Sequence, residues 1–215
     1  MSNKNSEQME VWASSFGKEY TDRNPQTADD MDKMYLREFG VARSQLNREF
    51  LDGLDRDIRI LEVGCNVGSQ LASLQKMGFK DLYGVELQSY AVEKAKSLTK
   101  GINIIQGSGF DLPFKDGFFD LVYTSGVLIH IAPADLPRIV AEMARVSKQY
   151  LWGFEYFAEE HQEINYRGSS NLLWKGDFKN IFMKQIPQLK LIKSKRVPYL
   201  SEPPGRVDEM YLMER

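Results

Sequence analysis

The chain reads as an α/β protein whose mostly parallel sheet carries helices on both faces, and three observations predict this. Short β-branched-rich runs alternate with segments of helical apolar spacing through most of its 215 residues. A glycine-bounded loop, Gly64-Cys65-Asn66-Val67-Gly68, joins the first of those runs to a helix. Near the carboxyl end, two apolar runs flank Pro203-Pro204-Gly205, which reads as the turn of an antiparallel hairpin.

Taken in order, Trp12, Phe16 and Tyr20 recur every four residues and predict one face of an amphipathic amino-terminal helix packed on the domain. Ile58 to Val63 is the first strand. The helix from Ser69 to Met77 carries Leu71, Leu74 and Met77, with Gly78 as its stop. Leu82 to Glu86 is the second strand, and Ala91, Val92, Ala95 and Leu98 mark the helix from Ser89 to Leu98. Ile102 to Gln106 and Phe118 to Thr124 are the third and fourth strands. Leu136, Ile139, Val140, Met143 and Val146 form the buried stripe of a helix over 135–147, and Tyr150 to Glu155 is the fifth strand. The pattern predicts five βα units. A polar and aromatic insertion at 161–168 follows, then a helix from Asp177 to Gln185, a run from Leu189 to Tyr199, and Met210 to Met213.

Composition limits the function classes. The formal net charge of −2 gives no broad electrostatic footprint for nucleic acid. Cys65 is the only cysteine, so no intrachain disulfide framework is expected, and a reducing cytoplasm is the expected compartment. No run approaches a membrane span in length, and residues 1–10 lack the apolar core of a signal peptide. No metal site is expected, and nothing sets the oligomeric state.

The loop after the first strand carries the chemistry. Its pattern is E-x-G-x-N-x-G, from Glu62 through Gly64 and Asn66 to Gly68, and lacks the G-x-G-x-x-G spacing of a dinucleotide fingerprint. A carboxylate two residues before the first glycine repels a diphosphate and suits a ligand that is cationic there. Glu86 ends the second strand a little over twenty residues after Gly64, where its two oxygens suit a ribose diol. The alternative for Glu86 is a solvated acid starting a helix.

These residues resemble motif I and the acidic strand end of the class I S-adenosylmethionine-dependent methyltransferases. The resemblance implies a three-layer, Rossmann-like fold with a seven-stranded sheet closed by a carboxyl-terminal antiparallel hairpin strand. It implies a helical lid over residues 1–50 and a methyltransferase domain over 51–215. It also implies S-adenosyl-L-methionine as cofactor, bound by Glu62, Gly64, Cys65, Asn66, Gly68, Glu86, Leu87, Ser108, Gly109, Phe110, Ser125 and Gly126. Many members of that class have Asp where this chain has Ser108. Cys65 reads as a buried filler with no catalytic part, and Phe110 reads equally as a core plug.

Trp12, Phe16-Gly17, Tyr20, Arg23-Asn24, 126–131, Glu155-Tyr156 and Tyr166-Arg167-Gly168 further resemble the methylases associated with pseudaminic acid biosynthesis. That resemblance implies a small anionic sugar or nucleotide-sugar acceptor. Arg23 and Arg167 are its candidate anion-gripping cations, with Glu155, Tyr156 and Tyr166 as further contacts. A hydroxyl acceptor needs a proton removed, for which His130 is the candidate base, and Tyr20 is placed to reach the methionine end. A helix-entry histidine satisfied by backbone is the alternative for His130. Two other classes compete, a nicotinamide-dependent sugar oxidoreductase or epimerase and a noncatalytic binding module of glycan assembly.

Overall fold

The computed structural model describes residues 7–200 and 205–215. Its centre is a seven-stranded sheet made of β1 (Arg59–Val63), β2 (Asp81–Glu86), β3 (Asn103–Gln106), β4 (Phe119–Ser125), β5 (Ser147–Tyr156), β8 (Lys190–Pro198) and β9 (Val207–Glu214). The two-residue strands β6 (Gln162–Glu163) and β7 (Trp174–Lys175) pair separately. The main sheet runs in the order β3-β2-β1-β4-β5-β9-β8. The first five members are parallel, and β9 pairs antiparallel with both β5 and β8. The chain therefore reverses direction across the sheet between β1 and β4, where α/β sheets open a crevice at their carboxyl ends.

Burial explains why the strands read as continuous apolar runs. Ile60, Leu61 and Val63 of β1 and Leu121, Val122 and Tyr123 of β4 are all buried, as expected for central parallel strands covered on both faces. One core gathers Val63, Val122, Ile139, Met143 and Phe182. The second core, on the opposite face, contains Leu71, Leu74, Leu82 and Trp152 together with Met31, Tyr35, Phe39, Leu46 and Phe50.

That membership divides the amino-terminal helices. Helices α3 (Ala28–Phe39) and α4 (Arg43–Leu51) belong to the second core, to which α1 (Glu7–Ala13) and α2 (Ser15–Arg23) contribute no buried residue. Nor do Trp12, Phe16 and Tyr20 share one helix. The chain breaks at Ser14, whose Oγ accepts the Phe16 N–H at 3.2 Å and caps α2. Trp12 ends up against Phe16 and Tyr20 edge-on, at centroid distances of 5.2 and 5.0 Å. Gly17 permits this fold-back, because a Cβ there would lie 1.9 Å from the Trp12 carbonyl oxygen.

A second correction concerns the βα units. Helices α5 (Ser69–Lys76), α6 (Ser89–Leu98), α7 (Leu136–Val146) and α8 (Phe178–Gln185) follow β1, β2, β4 and β5, but β3 passes to β4 through a loop over 107–118 with no helix. Phe110 and Leu112 are buried from that loop and take the place of a helical stripe. The carboxyl-terminal hairpin forms as expected, though Pro203 and Pro204 lie outside the described residues. No helix among the described residues is long and apolar enough to cross a membrane.

Candidate functional site

At the carboxyl ends of the parallel strands lies a cavity of about 490 Å³, roofed by α1 and α2. Its size falls within the range of small-molecule and cofactor sites. Glu62, Gly64, Cys65, Asn66, Glu86, Leu87, Ser108, Gly109, Phe110, Ser125 and Gly126 all line it, as do Tyr20, His130, Tyr156 and Tyr166.

The loop after β1 turns through left-handed backbone at Gly64, Asn66 and Gly68, with φ of 74°, 47° and 73°. Gly64 is required on two counts, since a Cβ there would also lie 2.6 Å from Val127 Cγ2. Asn66 tolerates the left-handed region better than most residues, and its N–H donates to Glu86 Oε2 at 2.8 Å. The other Glu86 oxygen accepts the Gln88 N–H at 2.8 Å. Glu86 is thus fixed by two backbone donors, and each oxygen keeps a lone pair for a further donor. Burial raises its carboxyl above the usual range, opposed by those backbone bonds.

Glu62 sits deeper, 3% exposed, and its Oε2 has no hydrogen-bond partner among the described residues. Burial pushes its carboxyl up to about 8, against the pull of the Tyr123 hydroxyl and the Arg43 guanidinium. A buried carboxyl oxygen without a partner leaves a place for a donor or cation from a ligand. Burial likewise holds the Cys65 thiol well above its ordinary range, which agrees with a packing role against Gly84.

Four expected site residues stand elsewhere. Gly68 packs behind the loop, where a Cβ would meet Ile104 Cδ1 at 2.9 Å, and it does not line the cavity. Glu155 is also off the cavity; its oxygens accept the N–H groups of Val127 and Ile129 at 3.2 and 3.3 Å, so it braces the 3-10 turn Leu128–His130. Arg23 lies near Glu19 on the outer face of α2, and Arg167 is exposed in the insertion. Neither cation reaches the cavity wall.

His130 is 8% exposed and its ring lies 4.3 Å from that of Trp12 and 5.6 Å from that of Tyr166. Its Nδ1 is 2.8 Å from the Leu172 carbonyl oxygen, which can only accept, so Nδ1 carries the proton and Nε2 the lone pair. Burial lowers its pKa to about 4, opposed by that bond.

Sequence reasoning missed Arg43, which is fully buried beside the site. Its Nη1 donates to the Tyr35 hydroxyl at 2.7 Å and to Ser125 Oγ at 3.0 Å, and its Nε donates to Asn47 Oδ1 at 3.0 Å. The guanidinium also lies 4.7 Å from the Phe154 ring centroid. It also missed Tyr35, Tyr199, Arg206 and Asp208, which line the far end of the cavity.

Residues 61–150 match the model of a methyltransferase domain family. That stretch, well under half of the chain, is similar to the methyltransferase domains of that family. S-adenosylmethionine is the methyl donor of that family. Over 90 residues the chain is 33% identical to an uncharacterized methyltransferase of Synechocystis, a stretch covering 42% of each protein. The matched region spans less than half the length of the first curated relatives. The fold is shared with a methyltransferase of Methanosarcina mazei, with TM-score 0.62 and 16% identity over 76% of this chain and 95% of that one. A protein of Pyrococcus horikoshii gives TM-score 0.67 and 18% identity over 91% and 98%. At those identities the likeness concerns the fold alone. The residues lining the cavity fit that family's cofactor, because Glu62 offers an unpaired buried oxygen to a cation and Glu86 offers two accepting oxygens to a diol.

Proposed function

We propose that the protein transfers a methyl group from S-adenosylmethionine to a small-molecule acceptor. The observation that carries this reading is the pair Glu62 and Glu86, one buried and one half-buried acid at the ends of adjacent parallel strands, lining one cavity. Glu62 takes the ammonium of the methionine portion, and Glu86 the ribose hydroxyls. Leu87, Ser108 and Phe110 flank the adenine, with Ser108 Oγ already accepting the Phe110 N–H. Bound there, the cofactor supplies an electrophilic methyl on a sulfonium.

The protein's own contribution is positioning and exclusion of water. Trp12, Tyr20 and His130 close over the cavity from α1, α2 and the turn after β4, and Gln88 Nε2 anchors the lid by donating to the Ser14 carbonyl at 2.9 Å. His130 stays neutral and offers Nε2 as a hydrogen-bond acceptor. A nicotinamide cofactor fits less well, since the loop after β1 lacks the G-x-G-x-x-G spacing that brings a pyrophosphate to the helix amides.

The finer acceptor class is that implied by the resemblance to the pseudaminic acid-associated methylases, a nonulosonic acid or nucleotide sugar. Tyr156 and Tyr166 on the cavity wall support a ring-shaped acceptor, whereas Arg23 and Arg167 no longer argue for an anion. The test is incubation with isotope-labelled S-adenosylmethionine and a small-molecule extract, with product identified by mass. Label in a sugar acid or nucleotide sugar supports the finer reading. Label in another small molecule removes it while keeping the coarser one, and no labelled product from a cofactor-binding protein favours a noncatalytic module.

A further inference from the structure

The cavity runs past the strands that carry Glu62 and Glu86 as far as β9. Its far wall holds Tyr35 of α3, Tyr156 of β5, Tyr199, Arg206 and Asp208 of β9. Four strand spacings separate β2 from β9, about 19 Å in all. A cofactor held over β2, β1 and β4 leaves that wall to the second ligand.

Asp208 pairs across the ladder with Tyr156 and is 3% exposed. The Tyr199 hydroxyl donates to its Oδ2 at 3.1 Å, while Oδ1 is buried with no partner among the described residues. Arg206 Nη2 donates in turn to the Tyr199 hydroxyl at 3.3 Å, and the guanidinium lies 4.1 Å from the Tyr199 ring centroid and 4.8 Å from that of Tyr156. The carboxylate is therefore held in a fixed plane by a braced hydroxyl, with one oxygen unsatisfied. Buried polar atoms in native folds are almost always paired, and an exception in a cavity wall marks a place a ligand completes. Trp12 Nε1, Glu62 Oε2 and Asn66 Oδ1 are the other such atoms among the lining residues described, and all three lie on the lid or at β1. Asp208 alone among the four belongs to the far wall.

We propose that Asp208 binds the methyl acceptor, its Oδ1 accepting a hydrogen bond from an acceptor hydroxyl or amine N–H, with Tyr156 and Tyr199 walling the acceptor's apolar part. The proposal rests on the methyltransferase reading for what the bound molecule undergoes. Burial also pushes the Asp208 carboxyl up to about 7, countered by the Tyr199 hydroxyl and Arg206, so a donor from the acceptor offsets the cost of its ionised form.

The test uses the full chain saturated with S-adenosylhomocysteine and the probes phenol, cyclohexanol, methyl glucoside and ethanolamine, observed by saturation-transfer NMR. The expected result is that at least one probe binds the wild type and binds Asp208→Asn about tenfold more weakly or worse, with the S-adenosylhomocysteine Kd unchanged. No probe binding, or equal binding to both proteins, overturns the proposal. Failure of the wild type to bind S-adenosylhomocysteine overturns the underlying reading instead. Should Asp208→Asn not fold, Tyr199→Phe keeps the carboxylate but removes the hydroxyl that fixes it, and unchanged probe binding by that variant overturns the proposal.

Discussion

Glu86 Oε2 accepts the backbone N–H of Asn66 at 2.8 Å, so the acid that ends β2 also holds the left-handed residue in the loop after β1. The loop after β1 and the end of β2 are one mechanical unit. Glu86→Ala removes a ligand contact and the brace of the loop together, and calorimetry is expected to show S-adenosylhomocysteine affinity reduced by about 1.4 kcal/mol, tenfold, or more.

Glu62 yields a proton-coupled signature. Without ligand its carboxyl is pushed up to about 8, so it is mostly protonated at pH 7. An ammonium seated beside it favours the carboxylate and draws that value down. Binding of S-adenosylhomocysteine at pH 7 should therefore release up to about one proton, seen as a dependence of the calorimetric heat on buffer ionisation enthalpy. Glu62→Gln should abolish the release.

His130 carries the opposite sign. Its pKa is lowered from 6.5 to about 4, so the unfolded chain binds this proton first as pH falls. Its contribution to stability is complete above pH 6.5 and is lost on acidification from there towards pH 4. NMR should find the ring neutral at pH 5.5; a midpoint near 6.5 would contradict the buried environment.

Gly64→Ala should destabilise the fold by about 1–3 kcal/mol, because it combines a left-handed φ of 74° with a contact to Val127. Gly53→Ala, where a Cβ meets nothing within 4 Å, is the control and should change little in urea denaturation.

Arg43→Met should cost about 3 kcal/mol or more, since it takes a donor from the Tyr35 hydroxyl and from Ser125 Oγ and leaves Asn47 with only its Gln70 and Ser73 bonds. Urea denaturation measures the loss directly.

Local signals made much of this legible in sequence. The β1 loop and Glu86 are read from spacing within one βα unit, and the antiparallel β8–β9 pair from turn residues between two apolar runs. What the sequence hid depends on distant packing. Arg43 looks like an ordinary cation at a helix start until Tyr35 and Phe154 close around it. Arg23 and Arg167 stand off the cavity for the converse reason, because exposure is not a local property. The break at Ser14 escaped notice because regular spacing of aromatic residues survives when two short helices fold against each other. Asp208 carried no motif at all; its meaning comes from lying across the ladder from Tyr156.

The most direct measurement is calorimetric titration of the purified chain with S-adenosylmethionine and S-adenosylhomocysteine, with NADH as comparison. The paired acids Glu62 and Glu86 predict one-to-one binding of both sulfur ligands and none of NADH. Absence of binding by either sulfur ligand, or preferential binding of NADH, would contradict the account.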